Sequence, residues 1–157
     1  MPLTPLHFGV LAPVNYLFPG KVSLVSFTLV NAWIDMKFIE AALTGQPLPA
    51  HGDIHSLAGV LIVGTLVAMP GVRYAKWVIG AYLAALSHLL LDGLIHADMQ
   101  PFGWIEGNPL RVMDMQTLSL ILLPFMLWFI VQTVSSSYAW VRMRWAALPF
   151  RNHPPKP

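Results

Sequence analysis

Three ionisable side chains lie four residues apart inside one long apolar segment of this chain. They are His88, Asp92 and His96, and no other acidic or basic residue lies between Lys76 and Asp98. Positions i, i+4 and i+8 of an α-helix fall within about 80° of one another, so the three side chains are predicted to project from one face. Burying a carboxylate and two imidazoles in an apolar segment is costly unless they pair or bind metal. The pattern therefore predicts a functional polar cluster able to converge on one ion.

The composition indicates a membrane protein and limits the chemistry of the cluster. Hydrophobic residues make up 56% of the 157 residues and charged residues only 10%, whereas about a quarter of the residues in a soluble domain are charged. The net charge of +2 is spread along the chain, which leaves membrane lipid as the expected partner and argues against nucleic acid. Because the sequence contains no cysteine, a metal site must use nitrogen and oxygen ligands, which favour zinc, manganese or iron.

The apolar runs predict an all-α, polytopic transmembrane helix bundle with four full spans plus a short N-terminal half-span. Crossing a bilayer core takes about 20 residues. The half-span is predicted at residues 7–18, and the full spans at residues 22–43, 54–72, 77–96 and 116–138. One integral-membrane domain, residues 1–150, contains all of them, and a disordered tail is predicted at residues 151–157.

Basic residues give the predicted orientation. Lys21 precedes the first full span, Arg73 and Lys76 lie between the second and third, and Arg142 and Arg144 follow the fourth. The positive-inside rule places all of them, and the C-terminus, in the cytoplasm. The candidate ligands then lie toward the opposite, outer side of the membrane. They are Asp35, His51, His55, His88, Asp92 and His96. His7 lies on the same side if the N-terminus is outside.

A second motif, HGDIH at residues 51–55, places two histidines at i and i+4. Such a pair can hold one ion from a helical turn, although the glutamate of a zinc-protease HExxH motif is absent here. Together the two motifs supply four imidazoles and a carboxylate. That number is enough for one zinc ion with an open coordination position, or for two metal ions.

Four blocks of the chain resemble the bacterial membrane-bound metal-dependent hydrolases of the YdjM-like type. These blocks are PLTPLHFG (2–9), NAWID (31–35), HGDIHSLAG (51–59) and the segment from Ser87 to Leu110. The resemblance implies a polytopic inner-membrane protein with a divalent metal site, distantly similar to helical zinc phospholipases C. One departure is Lys37, where related chains often carry a second acid, so a second metal ion is less strongly implied. The family's polar positions fall on His7, Asp35, His51, His55, His88 and Asp92.

The expected function is hydrolysis of a phosphoester or comparable ester of a lipid or lipid-linked substrate, through a metal-bound water and most simply with zinc. Asp35 or His96 would bridge to the metal or act as the base that orients the water. Two alternatives stay open: a divalent metal-binding or metal-transport protein without hydrolytic activity, and a structural protein whose polar cluster is satisfied internally. The preferred first ligands are His51, His55, His88 and Asp92.

Overall fold

The computed structural model describes residues 4–146, and every regular element in that range is helical. Single 3-10 turns lie at Phe8–Val10, Asp53–His55 and Met69–Gly71. The prediction of an all-helical chain agrees with this architecture, whereas the predicted tail at 151–157 lies outside the described residues. The α-helices are α1 (Thr4–His7), α2 (Leu11–Leu17), α3 (Leu24–Ile34), α4 (Met36–Thr44), α5 (Leu57–Ala68), α6 (Ala75–Ile95) and α7 (Met115–Ala146).

The prediction of four full spans plus a half-span is wrong. In the described part of the chain, two helices are long and apolar enough to cross a membrane, Ala75–Ile95 and Met115–Trp145. The predicted span at 54–72 is helical only over Leu57–Gly71, because Ser56 caps α5 by accepting the Gly59 N–H. The predicted span at 22–43 is interrupted, so it forms two short helices, α3 and α4.

The interruption lies at Asp35, and it leaves this carboxylate buried at the end of α3. The Asp35 backbone has φ −85° and ψ 8°, outside the usual helical range, although its N–H still donates to the Asn31 carbonyl oxygen. The chain then continues as α4, which ends at Gly45 with φ 70°, a left-handed conformation that favours glycine. Only 1% of Asp35 is exposed.

Small residues let α3, α5 and α6 pack closely. Ala81 and Ala84 of α6 are fully buried. A Cβ added to Gly64 of α5 would lie 3.1 Å from the Cβ of Ala85 on α6. On the other side of α6, Gly80 lies directly against the start of α3. This close approach allows the polar residues at one end of the three helices to touch one another.

The N-terminal segment fills the space between α3 and α7. Gly9 is buried against α7, where an added Cβ would lie 3.1 Å from the Leu122 carbonyl oxygen. The adjacent Phe8 ring packs edge-on against Phe27 of α3, with ring centroids 5.5 Å apart. These two contacts fix the end of α1, so His7 lies inside the protein beside α6.

We expect Gly80→Ala to destabilise the protein by about 1–3 kcal/mol, the usual cost of overpacking a core. The added methyl group would lie 2.5 Å from the Ser23 carbonyl oxygen, so α3 would have to move away from α6. Thermal unfolding in detergent, followed by circular dichroism, measures the effect. Gly103→Ala is the matched control, because open space surrounds that glycine. Equal melting temperatures for both variants would contradict the close contact between α3 and α6.

Candidate metal centre

Two buried carboxylates and two buried imidazoles meet at one end of the α3, α5 and α6 core. The His88 Nε2 atom lies 3.4 Å from Asp35 Oδ1 and 3.1 Å from Asp92 Oδ2. The His55 Nε2 atom lies 3.6 Å from Asp35 Oδ1. One ligand atom from each of these four residues lies within 4.8 Å of the others, so the group could hold a metal ion.

Three of the six residue pairs in this four-residue group have distances that suit ligands of a common ion. Ligand atoms about 2.1 Å from an ion are about 3.4 Å apart in a tetrahedron and about 3.0 Å apart in an octahedron. The nitrogen–oxygen contacts of His55 and His88 measure 3.1, 3.4 and 3.6 Å. Both ring nitrogens of His55 are buried with no hydrogen-bond partner among the described residues, whereas the Nε2 of His88 faces both carboxylates. A buried nitrogen without a partner costs about 1–3 kcal/mol, a cost that metal ligation removes.

Asn31 determines which nitrogen of His88 faces the carboxylates. The Asn31 side-chain amide donates to the Phe27 carbonyl oxygen at 2.9 Å, so its Oδ1 accepts from His88 Nδ1 at 2.9 Å. In the neutral ring, Nε2 then carries the lone pair and points to the group. The sequence prediction missed Asn31, although its position four residues before Asp35 places both side chains on one helix face.

Two further histidines contact Asp92. The His7 Nε2 atom lies 3.2 Å from Asp92 Oδ1, and the His51 Nε2 atom lies 4.0 Å from Asp92 Oδ2. Asp98 orients the second of these rings, because its Oδ2 lies 3.0 Å from His51 Nδ1 and accepts the His51 backbone N–H at 3.1 Å. A carboxylate behind a histidine is a common way to fix the ring of a metal ligand.

Electrostatics at the outer edge of the cluster favour a neutral His96 and an ionised Asp98. Partial burial raises the pKa of Asp98, but the hydrogen bonds from the His51 side chain and backbone outweigh it and lower that pKa to about 2. Asp98 is therefore ionised at neutral pH and accepts the proton on His51 Nδ1. Burial, followed by the nearby His51, lowers the pKa of His96. A neutral imidazole is the form that binds a metal ion.

Two local predictions about the motifs are wrong. His96 follows the end of α6 with an extended backbone, φ −91° and ψ 117°, so the predicted helical face ends at Asp92. His51 precedes the 3-10 turn that contains His55, so the HGDIH motif does not form a helical turn. The His51 and His96 rings still meet, with centroids 4.1 Å apart. The tertiary structure brings these residues together without the predicted helical spacing.

Each sequence-predicted site residue lies in or beside this cluster. Asp35 belongs to the four-residue group, and His96 lies beside His51 at its edge. No protein family, curated protein or solved structure matches the chain. The six predicted ligands found in contact are His7, Asp35, His51, His55, His88 and Asp92.

We expect Asn31→Leu to weaken divalent metal binding about 10–100-fold, the usual effect of removing a group that orients a ligand. Leucine removes the acceptor of His88 Nδ1, so the ring can turn and Nε2 loses its fixed direction. Zinc titration of the purified protein measures the change. Asn31→Asp keeps an oxygen acceptor and should bind more tightly than Asn31→Leu. Thr28→Val, on the exposed side of α3, is the control, and equal affinity of all variants would contradict this role.

Proposed function

We propose that the protein is a membrane-embedded metal-dependent hydrolase acting on a phosphoester or another ester of a lipid or lipid-linked substrate. The observation that carries this proposal is the buried convergence of His55 and His88 Nε2 atoms on the carboxylates of Asp35 and Asp92. Imidazole and carboxylate together are the donor set of hydrolytic zinc. A divalent ion bound there would supply a Lewis acid and a water that ionises near neutral pH. The resemblance to bacterial membrane-bound metal-dependent hydrolases belongs to the same proposal.

The residues of the cluster would have different roles in such a reaction. Asp35, His55, His88 and Asp92 would hold the ion, and Asn31 keeps the His88 ring in the ligating orientation. Asp98 fixes the neighbouring His51 ring. The proton that the attacking water loses would go to a carboxylate oxygen of Asp35 that does not hold the ion, or to His96. Burial of the four-residue group excludes bulk water, which strengthens the electrostatic interactions inside the site.

A largely apolar cavity offers the substrate a route to the cluster. The cavity has a volume of about 550 Å³ and reaches His55. Trp33 and Phe38 contribute apolar walls, while Lys37, Glu40 and Asp53 add one positive and two negative charges to the lining. Apolar walls suit a hydrocarbon chain, so the cavity supports a lipid-derived substrate.

Metal transport is less well supported than hydrolysis. Residues of α3, α5 and α6 that lie one or two turns beyond the cluster are apolar and buried. Ion pathways through a membrane protein are lined by polar or ionisable side chains. In the described residues, the core beyond the cluster would close such a path; its members are Phe27, Val60, Val63, Ala81 and Ala84.

The same proposal places α6 and α7 across a bacterial inner membrane, with the C-terminus in the cytoplasm and the site toward the periplasm. Lys76 lies at the start of α6, and Arg142 and Arg144 lie near the end of α7. The positive-inside rule assigns these residues to the cytoplasm. Because α6 runs from Lys76 toward Asp92, the cluster then lies at the periplasmic end of that helix.

We expect Asp92→Asn to lose its metal ion and more than about 100-fold of its turnover, because the amide keeps the volume but loses the charge. Metal analysis and phosphodiesterase assays of purified protein, using bis-p-nitrophenyl phosphate and a phospholipid in matched detergent, test this. Glu106→Gln, in an exposed loop, is the control. Wild-type metal content in Asp92→Asn would exclude Asp92 as a ligand. Wild-type protein that holds metal but cleaves neither ester would contradict the hydrolase.

Single cysteines test the orientation, because the native sequence contains none. We expect a membrane-impermeant maleimide to label Gly103→Cys in intact spheroplasts, since this loop residue lies on the side of the cluster. Val72→Cys, which is exposed at the opposite end of α6, should react only after the membrane is opened. The reverse labelling pattern would overturn the proposed orientation.

A further inference from the structure

We propose that the centre holds two divalent cations bridged by Asp92, with His51 and His96 as the other ligands of the second ion. The first ion is the one held by the four-residue group, so this inference rests on the proposed function for that ion. The second ion would occupy a site that the proposed function does not itself assign.

The second site has its own set of ligand atoms. One atom from each of His51, Asp92 and His96 lies within 4.8 Å of the others. The two rings lie 4.1 Å apart between centroids. The Nδ1 atom of His51 is hydrogen-bonded to Asp98. The nitrogen of His51 that faces Asp92 is therefore Nε2, which lies 4.0 Å from Asp92 Oδ2. Three ligands with open positions resemble a catalytic metal site more than a closed structural one.

Asp92 is placed to serve both ions. Its Oδ2 atom lies 3.1 Å from His88 Nε2 in the first group and 4.0 Å from His51 Nε2 in the second. Its Oδ1 atom is in contact with His7 at 3.2 Å. Carboxylate-bridged pairs of metal ions lie about 3.5–4 Å apart and together clamp the oxygens of a displacement reaction. One carboxylate surrounded by three imidazoles matches such a bridge.

The surroundings of the two sites predict different affinities. The residues of the first group are all buried, whereas His51 and His96 are only partly buried. A second cavity, of about 340 Å³, is lined by His51 and Asp98, and it connects the second site to solvent. The second ion therefore has the more open site, and we expect it to bind more weakly and to leave first on chelation.

Metal stoichiometry tests the second site without any assay of activity. Purified wild-type protein titrated with manganese should bind two ions per chain, and the second equivalent should remove the six-line electron paramagnetic resonance spectrum of an isolated ion. His51→Ala and His96→Ala should each bind one ion and keep that spectrum. Glu106→Gln, in an exposed loop, should behave as the wild type. Wild-type protein that binds only one ion, or folded histidine variants that bind two, would overturn the proposal.

A more conservative substitution controls for misfolding of the two alanine variants. Asp98→Asn keeps the size of the side chain and should weaken only the second ion, by about 10–100-fold. Unchanged affinity for the second ion in this variant would contradict the assigned role of His51. Ester hydrolysis measured on the same samples separates the two proposals. A one-ion protein that cleaves esters refutes only the second site, and a two-ion protein that cleaves none refutes only the hydrolase.

Discussion

The burial of Asp35 and Asp92 is the constraint on which the rest of this structure depends. An ionised carboxylate in an apolar core is tolerated only beside opposite charge, hydrogen-bond donors or a metal ion. The two residues lie on different helices, so their shared partner His88 requires α3 and α6 to approach closely at one end. The glycines and alanines between the helices permit that approach. The close packing of α3 and α6 is therefore also what brings the residues of the site together.

Some elements could be predicted from the sequence because a single local property defines them. Helices α6 and α7 follow from long, almost wholly apolar runs, and their bounds differ from the predicted ones mainly at the C-terminal end of α7. The failed spans depend on tertiary contacts instead. The chain around Asp35 is apolar enough to read as one helix, but the carboxylate turns into the core and the backbone leaves the helical conformation there. Hydropathy carries no information about that turn.

The residues of the site could be predicted from the sequence better than the tertiary contacts that bring them together. Spacing and residue type identified the histidines and aspartates, since those side chains are rare in apolar segments. Their convergence depends on two loops that hydrogen bonds join to the helices. The Leu57 N–H donates to the Pro101 carbonyl oxygen at 2.8 Å, and the Asn108 side chain donates to the Gly93 and His96 carbonyl oxygens. No sequence pattern reveals the role of Asn31, because that role depends on the His88 ring that its side chain contacts in the folded protein.

The contact between Gly9 and α7 has a consequence for the order of assembly. His7 is the first of the predicted ligands along the chain. Its position nevertheless depends on α7, which is synthesised after all the other predicted ligands. A nascent chain ending before α7 would contain all the histidines and aspartates of the cluster, while the N-terminal segment lacked the surface it rests on. The contact between His7 and Asp92 can therefore form only after α7 has been synthesised and packed against the N-terminal segment.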